Sequence, residues 1–482
     1  MSHIRTNVAS HTSPYYRGMT DDQCRLIHRA SLDILERTGV LLHYQPALNL
    51  LKKAGCIIEN NHVRVPTRLV EWALRSAPSR IMLYDRNGTP AMPLGDRIST
   101  YGTGSDCLYV LDHRTDTRRR AILQDIVDGV RVADSLPHID FIMSMFLPSD
   151  APAAAEVLQM ETMLKYSAKP ICFVTYEFEG LQEIIEMLET AMGGKDQLRI
   201  TPTAILYLNP TTAFNHNEEA LQKLMVAAER NIPTVYLPDV QRGFSCPITF
   251  AGAMACANAG QLVGLVISQL TSEGAPMILN AAAPSSIDMK TMVLPYGTPE
   301  GGAYALEMNH YYNLPTFNTG GVSNSKVLDE QAIMEASLTL QQAAITGGNM
   351  IHDVGYMESG MTNSLELLVI CNEAISWIKA SMKGLEINEE TLALELIHEN
   401  ALSGTFLESD HTLAHVKEGW SPHLIDRQNF ETWFEGGATT MRSRARAIID
   451  EILKENPTSI LTPETEKKIN AISKKAMESN GG

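Results

Sequence analysis

The chain is predicted to fold as a (β/α)8 TIM barrel of the α/β class with helical extensions at both ends, and three observations carry that expectation. Eight short apolar runs, centred near Tyr101, Met143, Phe173, Ile205, Val235, Ile278, Thr316 and Ile351, read as strands. Segments of helical spacing alternate with them, among them Leu123 to Asp134, Glu156 to Tyr166, Gly180 to Met192, Asn217 to Arg230 and Asp329 to Thr346. The repeat of roughly 30 to 45 residues suits βα units with insertions, joined by right-handed crossovers into a parallel sheet. An open doubly wound sheet is the alternative. Against it, no strand is followed by a complete G-x-G-x-x-G turn, although Gly102 and Gly104 begin one.

Before the barrel, residues 1–95 are expected as a helical extension. Thr20 and Gln23 have capping-box spacing, Ile27, Ala30 and Ile34 follow at three- and four-residue steps, and a second helix is expected near Arg68. Residues 96–390 are assigned to the barrel. The apolar stretch Phe250 to Leu270 contains Asn258, Gln261 and Gln269 and is rich in Ala and Gly, which suits a buried helix better than a membrane span. Residues 391–482 are expected as a C-terminal helical extension: two helical stretches between Phe430 and Leu453 meet near Gly436-Gly437, and a charged tail runs from Thr465 to Ser479.

Composition excludes several classes of function. With 44% hydrophobic and 20% charged residues over 482 positions, the chain has the make-up of a globular protein with a large core. A net charge of −17 with no long basic run argues against nucleic-acid binding. The polar start, Met1 to Asn7, leads into no apolar run of signal-peptide length, so a cytoplasmic protein is expected. Seven scattered cysteines without a C-x-x-C pair suit a reducing compartment.

In a TIM barrel the chemistry lies where the strands end. Those ends read Tyr101 to Asp106, Thr175-Tyr176-Glu177, Asn209 to Thr212, Asn280 to Pro284, Asn318 to Gly321 and His352 to Tyr356. Amides, hydroxyls, small residues and tyrosines dominate. The carboxylates are few, namely Glu177, Asp106, Asp239 and Asp353, where a hydrolase or decarboxylase would show paired carboxylates or a lysine nucleophile. His411 and His415 have H-x-x-x-H spacing but no third ligand in view, so no metal is expected and a solvated surface helix is the reading for that pair. Gly320-Gly321 and Gly102-x-Gly104 leave bare backbone at the mouth, which permits close approach of something large and flat; ordinary turn chemistry is the alternative at each.

Several ordered segments resemble the trimethylamine methyltransferase family of corrinoid-dependent enzymes. They are Gly104-Ser105-Asp106 followed by Val110-Leu111-Asp112 and Arg118, Asp125 with Arg131 to Asp134, Ser135 to Asp140, Pro247 to Gly252, Gln269-Leu270 with Gly274 to Pro276, and Leu314-Pro315 with Ser325 to Ala332. The resemblance implies a TIM barrel with the methylamine at its centre. It also implies that the corrinoid, a cobalamin-type cofactor, arrives on a small cognate partner protein, with no cofactor tightly bound to this chain. The family's founding branch carries pyrrolysine near the end of the last barrel strands. Here Asn349 to Gly360 holds standard residues alone, which points away from trimethylamine and towards a quaternary amine such as glycine betaine.

The chemistry favours the same class. A quaternary ammonium that loses a methyl group to Co(I) leaves as a neutral amine, whereas neutral trimethylamine needs prior protonation. Recognition should come from ring faces, at about 0.5 to 2 kcal/mol per cation–π contact. A full negative cage would stabilise the ground state more than the transition state. His352, Tyr356 and Glu177 are the catalytic candidates. Tyr101, Tyr176, Asn209, Asn280, Asn318 and Ser323 are assigned to substrate, with His352 also placed to grip a carboxylate. Gly102, Gly104, Gly320 and Gly321 are assigned to the approaching corrinoid. A homo-oligomer is expected, without contacts to membrane. Proline betaine, carnitine and trimethylamine remain alternative substrates; a non-catalytic binding barrel and a lyase working through Glu177 and His352 remain alternative functions.

Overall fold

The computed structural model describes residues 16–280, 286–304, 306–402 and 404–480. The expected strands are short and parallel: β1 (Thr100–Tyr101), β2 (residues 141–142), β3 (Ile171–Phe173), β4 (Ala204–Leu208), β5 (Thr234–Tyr236), β6 (Met277–Asn280), β7 (Thr316–Thr319) and β8 (Met350–His352). Neighbours from β3 to β8 pair in sequence order, and Ile351 of β8 returns to Tyr101 of β1. Phe141 bridges Gly102 while Ile142 bridges Ile171, so β2 closes the ring although it is too brief to make a full ladder. The fold is TIM-barrel-like, as the alternation of strands and helices requires.

Strand alternation divides the core in two. Phe141, Met143, Cys172, Ile205, Val235, Ile278, Phe317 and Met350 fill the barrel interior. Tyr101, Ile142, Ile171, Phe173, Leu206, Tyr236, Leu279 and Ile351 belong instead to the layer between strands and helices. A hairpin, Ile81–Tyr84 with Pro90–Leu94, adds Ile81, Leu83, Met92 and Leu94 to the interior cluster. Its backbone is tied to the chain just before β4 and β3, by Tyr84 N–H to Pro202 O (2.9 Å) and Arg86 N–H to Ala168 O (3.0 Å). The hairpin therefore plugs the N-terminal end. At the opposite end Tyr109–Asp112, Thr117–Arg120, Tyr356–Met357 and Thr362–Asn363 form a small mixed sheet from the loops that follow β1 and β8.

The helices begin where caps allow. Thr20 and Gln23 form the expected capping box of Asp21–Asp33, Asp329 caps Glu330–Ile345, and Ser364 caps Leu365–Met382. Phe250–Thr271 is long and apolar enough to cross a membrane, but every residue from Ala253 to Gln269 is buried in the protein. It is a core helix. Gly260 and Gly264 let it sit directly against Ala213 and the ring of Tyr236, where a Cβ would overlap. In the C-terminal part, Phe430–Glu435 and Met441–Leu453 separate at Gly436-Gly437, and Arg442 and Arg446 both pair with the buried Glu366. The charged tail is helical over Pro463–Asn480, and Ile469, Ile472, Ser473 and Ala476 bury one of its faces.

Candidate functional site

A cavity of about 260 Å³ opens at the C-terminal ends of the strands, opposite the hairpin plug. Its walls come from consecutive strands. β4 continues inward-facing alternation from Ile205 through Tyr207 to Asn209, so a ring and then an amide climb from the packed interior to the mouth. Asp239 follows β5, Asn280 ends β6, Asn318 and Thr319 end β7, and His352 ends β8. Tyr296 reaches in from the loop before β7.

One wall is aromatic. The His352 ring stacks on Phe317 at 4.0 Å between centroids and lies 6.4 Å from Tyr207, which is itself 5.4 Å from Phe317. Tyr296 donates its hydroxyl to Asp353 Oδ2 at 2.7 Å and stacks on Tyr356 at 6.2 Å. Asp353 adopts left-handed backbone, φ +70°, which turns its carboxylate back beneath these rings. Its Oδ1 is 2.7 Å from His352 Nδ1, yet the angle makes no hydrogen bond, and Nδ1 has no other partner; Nε2 is 3.3 Å from Thr319 Oγ1. Burial, reinforced by Asp353, holds the Tyr296 phenol well above its ordinary range, so it stays a donor. Burial also raises the Asp239 carboxyl, partly offset by the Val240 N–H that faces it.

Of the residues singled out from sequence, His352, Asn209, Asn280 and Asn318 line this cavity. Others stand elsewhere. Tyr101 lies in the outer layer with Lys379 Nζ 5.3 Å from its ring centre, because its neighbours on β1 take the inward positions. Tyr356 is buried behind Tyr296 and hydrogen-bonds to Ser105 O. Tyr176 is on the rim, donating to Asp106 Oδ1 at 2.6 Å. Glu177 is exposed beside Glu219, whose hydrogen bond and charge raise its carboxyl, and it does not share the cavity with His352. Ser323 donates to Glu335 Oε2 at 2.7 Å.

The four rim glycines are crowded by this chain's own atoms. A Cβ on Gly102 would strike the Phe141 ring, one on Gly104 would meet Asp353 and Tyr356, one on Gly320 would meet Ile351, and Gly321 (φ +76°) lies against Val354. Residues 281–285, part of the Asn280 to Pro284 rim, lie outside the described residues, as does the polar start Met1 to Asn7. His411 and His415 sit on a short surface helix, with His415 paired to Glu418 at 2.7 Å. Among the described residues no three His, Cys, Asp or Glu side chains converge as a metal site.

Sequence reasoning missed Tyr207 and Tyr296. Tyr207 was readable, since it shares a strand face with Ile205 and Asn209; Tyr296 sits in a loop without periodicity and carried no signal.

Fold and cavity together define a TIM-barrel-like protein with a cavity at the C-terminal ends of its strands. The chain belongs to the trimethylamine methyltransferase family, which it matches over residues 2–481. Members of that family are methyltransferases that work with a corrinoid protein. A trimethylamine methyltransferase of Desulfitobacterium hafniense is 31% identical over 93% of this chain and 91% of its own length. A glycine betaine methyltransferase of the same species is 29% identical over 95% and 96%. The crystal structure of the monomethylamine methyltransferase of Methanosarcina barkeri superposes with a TM-score of 0.50 at 11% identity, covering 97% of this chain and 89% of that one.

Proposed function

We propose that this protein takes a methyl group from a small quaternary amine and passes it to a corrinoid carried by a separate protein. The observation that carries the reading is the aromatic cavity, plugged below and open above. Tyr207, Tyr296 and His352 line it and would supply the rings for a methylated ammonium. Asp353 fixes the Tyr296 hydroxyl and so holds that ring in place. No proton need move in the reaction, because a quaternary substrate leaves as a neutral amine.

The corrinoid would supply the Co(I) nucleophile at the mouth. The loops after β5 and β6 suit a macromolecular visitor there: Phe244, Ile248, Met289, Met292 and Val293 are exposed. Glycine betaine enters this reading through one relative, beside proline betaine, carnitine and trimethylamine. A cytoplasmic setting suits seven free cysteines. The expected homo-oligomer draws support from exposed Leu385, Leu402, Leu407, Leu413, Phe430 and Phe434 in the C-terminal part.

The test is methyl transfer from a panel of quaternary amines to free Co(I) cobalamin, followed by loss of Co(I) absorbance. Quaternary amines should outpace trimethylamine. Binding without transfer from any of them would reduce the protein to a binding barrel and overturn the proposal.

A further inference from the structure

We infer that the cavity is built for a quaternary ammonium ion whose fourth substituent carries no negative charge, and that Asp239 is the residue that turns betaines away. This rests on the proposed function and narrows its substrate class.

Among the described lining residues there is no Lys or Arg, and Asp239 is the one carboxylate. Arg242 follows the lining residue Gln241 in sequence but does not itself line the cavity, and its Nε is buried without a partner. Arg242 lies 5.1 Å over the Phe250 ring with Nη2 3.4 Å from Ser286 Oγ, Lys326 donates to Asn324 O at 2.8 Å, and Arg118 grips Glu358 at 2.6 Å.

A carboxylate entering this cavity would lose water, meet no Lys or Arg among the described lining residues, and face a like charge on Asp239. An ammonium meets the opposite balance, with ring faces below and one carboxylate at the mouth. Other polar groups on the wall, among them those of Asn209, Gln241, Asn280, Asn318 and Thr319, are neutral and match a hydroxyl as donor or acceptor. The volume is below the roughly 300–1,000 Å³ of pockets for drug-sized ligands, so the fourth substituent is short. Asp239 does not cage the nitrogen. It selects by charge at entry and should act on KM more than on kcat.

Calorimetric titration of the full chain with tetramethylammonium, choline and glycine betaine tests this. Choline should bind at least about tenfold more tightly than glycine betaine. Asp239→Asn, with its unfolding midpoint checked, should narrow that gap by weakening choline and admitting betaine, and should raise KM for choline with kcat nearly unchanged. Glycine betaine binding as tightly as choline overturns the inference, and so does an unaltered gap in the variant. If glycine betaine binds best and methylates Co(I), the proposed function survives and this inference fails; if none of the three binds, both fall.

Discussion

A cation held against ring faces should tolerate loss of a hydroxyl and suffer from loss of the ring. Tyr207→Phe is therefore expected to be mild, whereas Tyr207→Leu should cost roughly 1 to 2 kcal/mol in kcat/KM, about tenfold. Tyr296 differs, because its hydroxyl serves Asp353. Tyr296→Phe strips a donor from a buried carboxylate and should cost more than Tyr207→Phe in the same assay. Tyr101→Leu should lower the unfolding midpoint and leave KM alone, since that ring is in the outer layer. The exchange of Tyr101 for Tyr207 shows what was legible at this scale. Residue type and strand were readable; which face each tyrosine took depended on a phase that two-residue strands do not reveal. A second prediction concerns Glu156, buried beneath the turn after β3, where it accepts the Tyr176 N–H. Burial raises its carboxyl from 4.5 to about 7. The folded state thus holds the proton more firmly than the unfolded chain. Stability from this group is present below pH about 4.5 and is lost as pH rises through about 7, on the order of 3 kcal/mol. Glu156→Gln should flatten that part of a plot of unfolding midpoint against pH; an unchanged slope would refute the assignment.

Helix Phe250–Thr271 owes its depth to what two of its positions lack. Gly260→Ala would push a Cβ to 2.7 Å from the Ala213 backbone, and Gly264→Ala would drive one into the Tyr236 ring. Either should destabilise by about 1 to 3 kcal/mol, measured by denaturant unfolding, although alanine is the better helix former. Elements of this kind were well marked in the sequence. All eight strand centres were visible as apolar runs, because a parallel strand buried on both faces needs no polar alternation. The helices between them followed from spacing and caps. What escaped lacks a period: the β2 pairing is two bridges, and the segment that delivers Tyr296 is loop. The tail's buried face escaped for another reason, since its charges masked a narrow apolar stripe through Ile469, Ile472 and Ala476.

The molecule as a whole is acidic, at −17, and yet shows an apolar rim beside its mouth. If that rim receives the corrinoid protein, Phe244→Ser should weaken methyl transfer to the carrier protein several-fold and leave transfer to free Co(I) cobalamin as it was. Equal losses in both assays would place Phe244 in the cavity's own chemistry instead. Sedimentation should likewise show a dimer or larger species, and Leu407→Glu with Phe430→Glu should shift it towards monomer. The hairpin Ile81–Leu94 has a kinetic consequence. With the far end stoppered by Ile81, Leu83, Met92 and Leu94, the barrel is a cul-de-sac, and the proposed amine and corrinoid would have to use one doorway. Under the proposed function traffic would then be ordered: the amine would enter first, the carrier would close over it, and the demethylated amine would depart after the carrier withdraws. Excess carrier should consequently inhibit turnover by occupying the doorway before the amine arrives, and raising the amine concentration should relieve that inhibition.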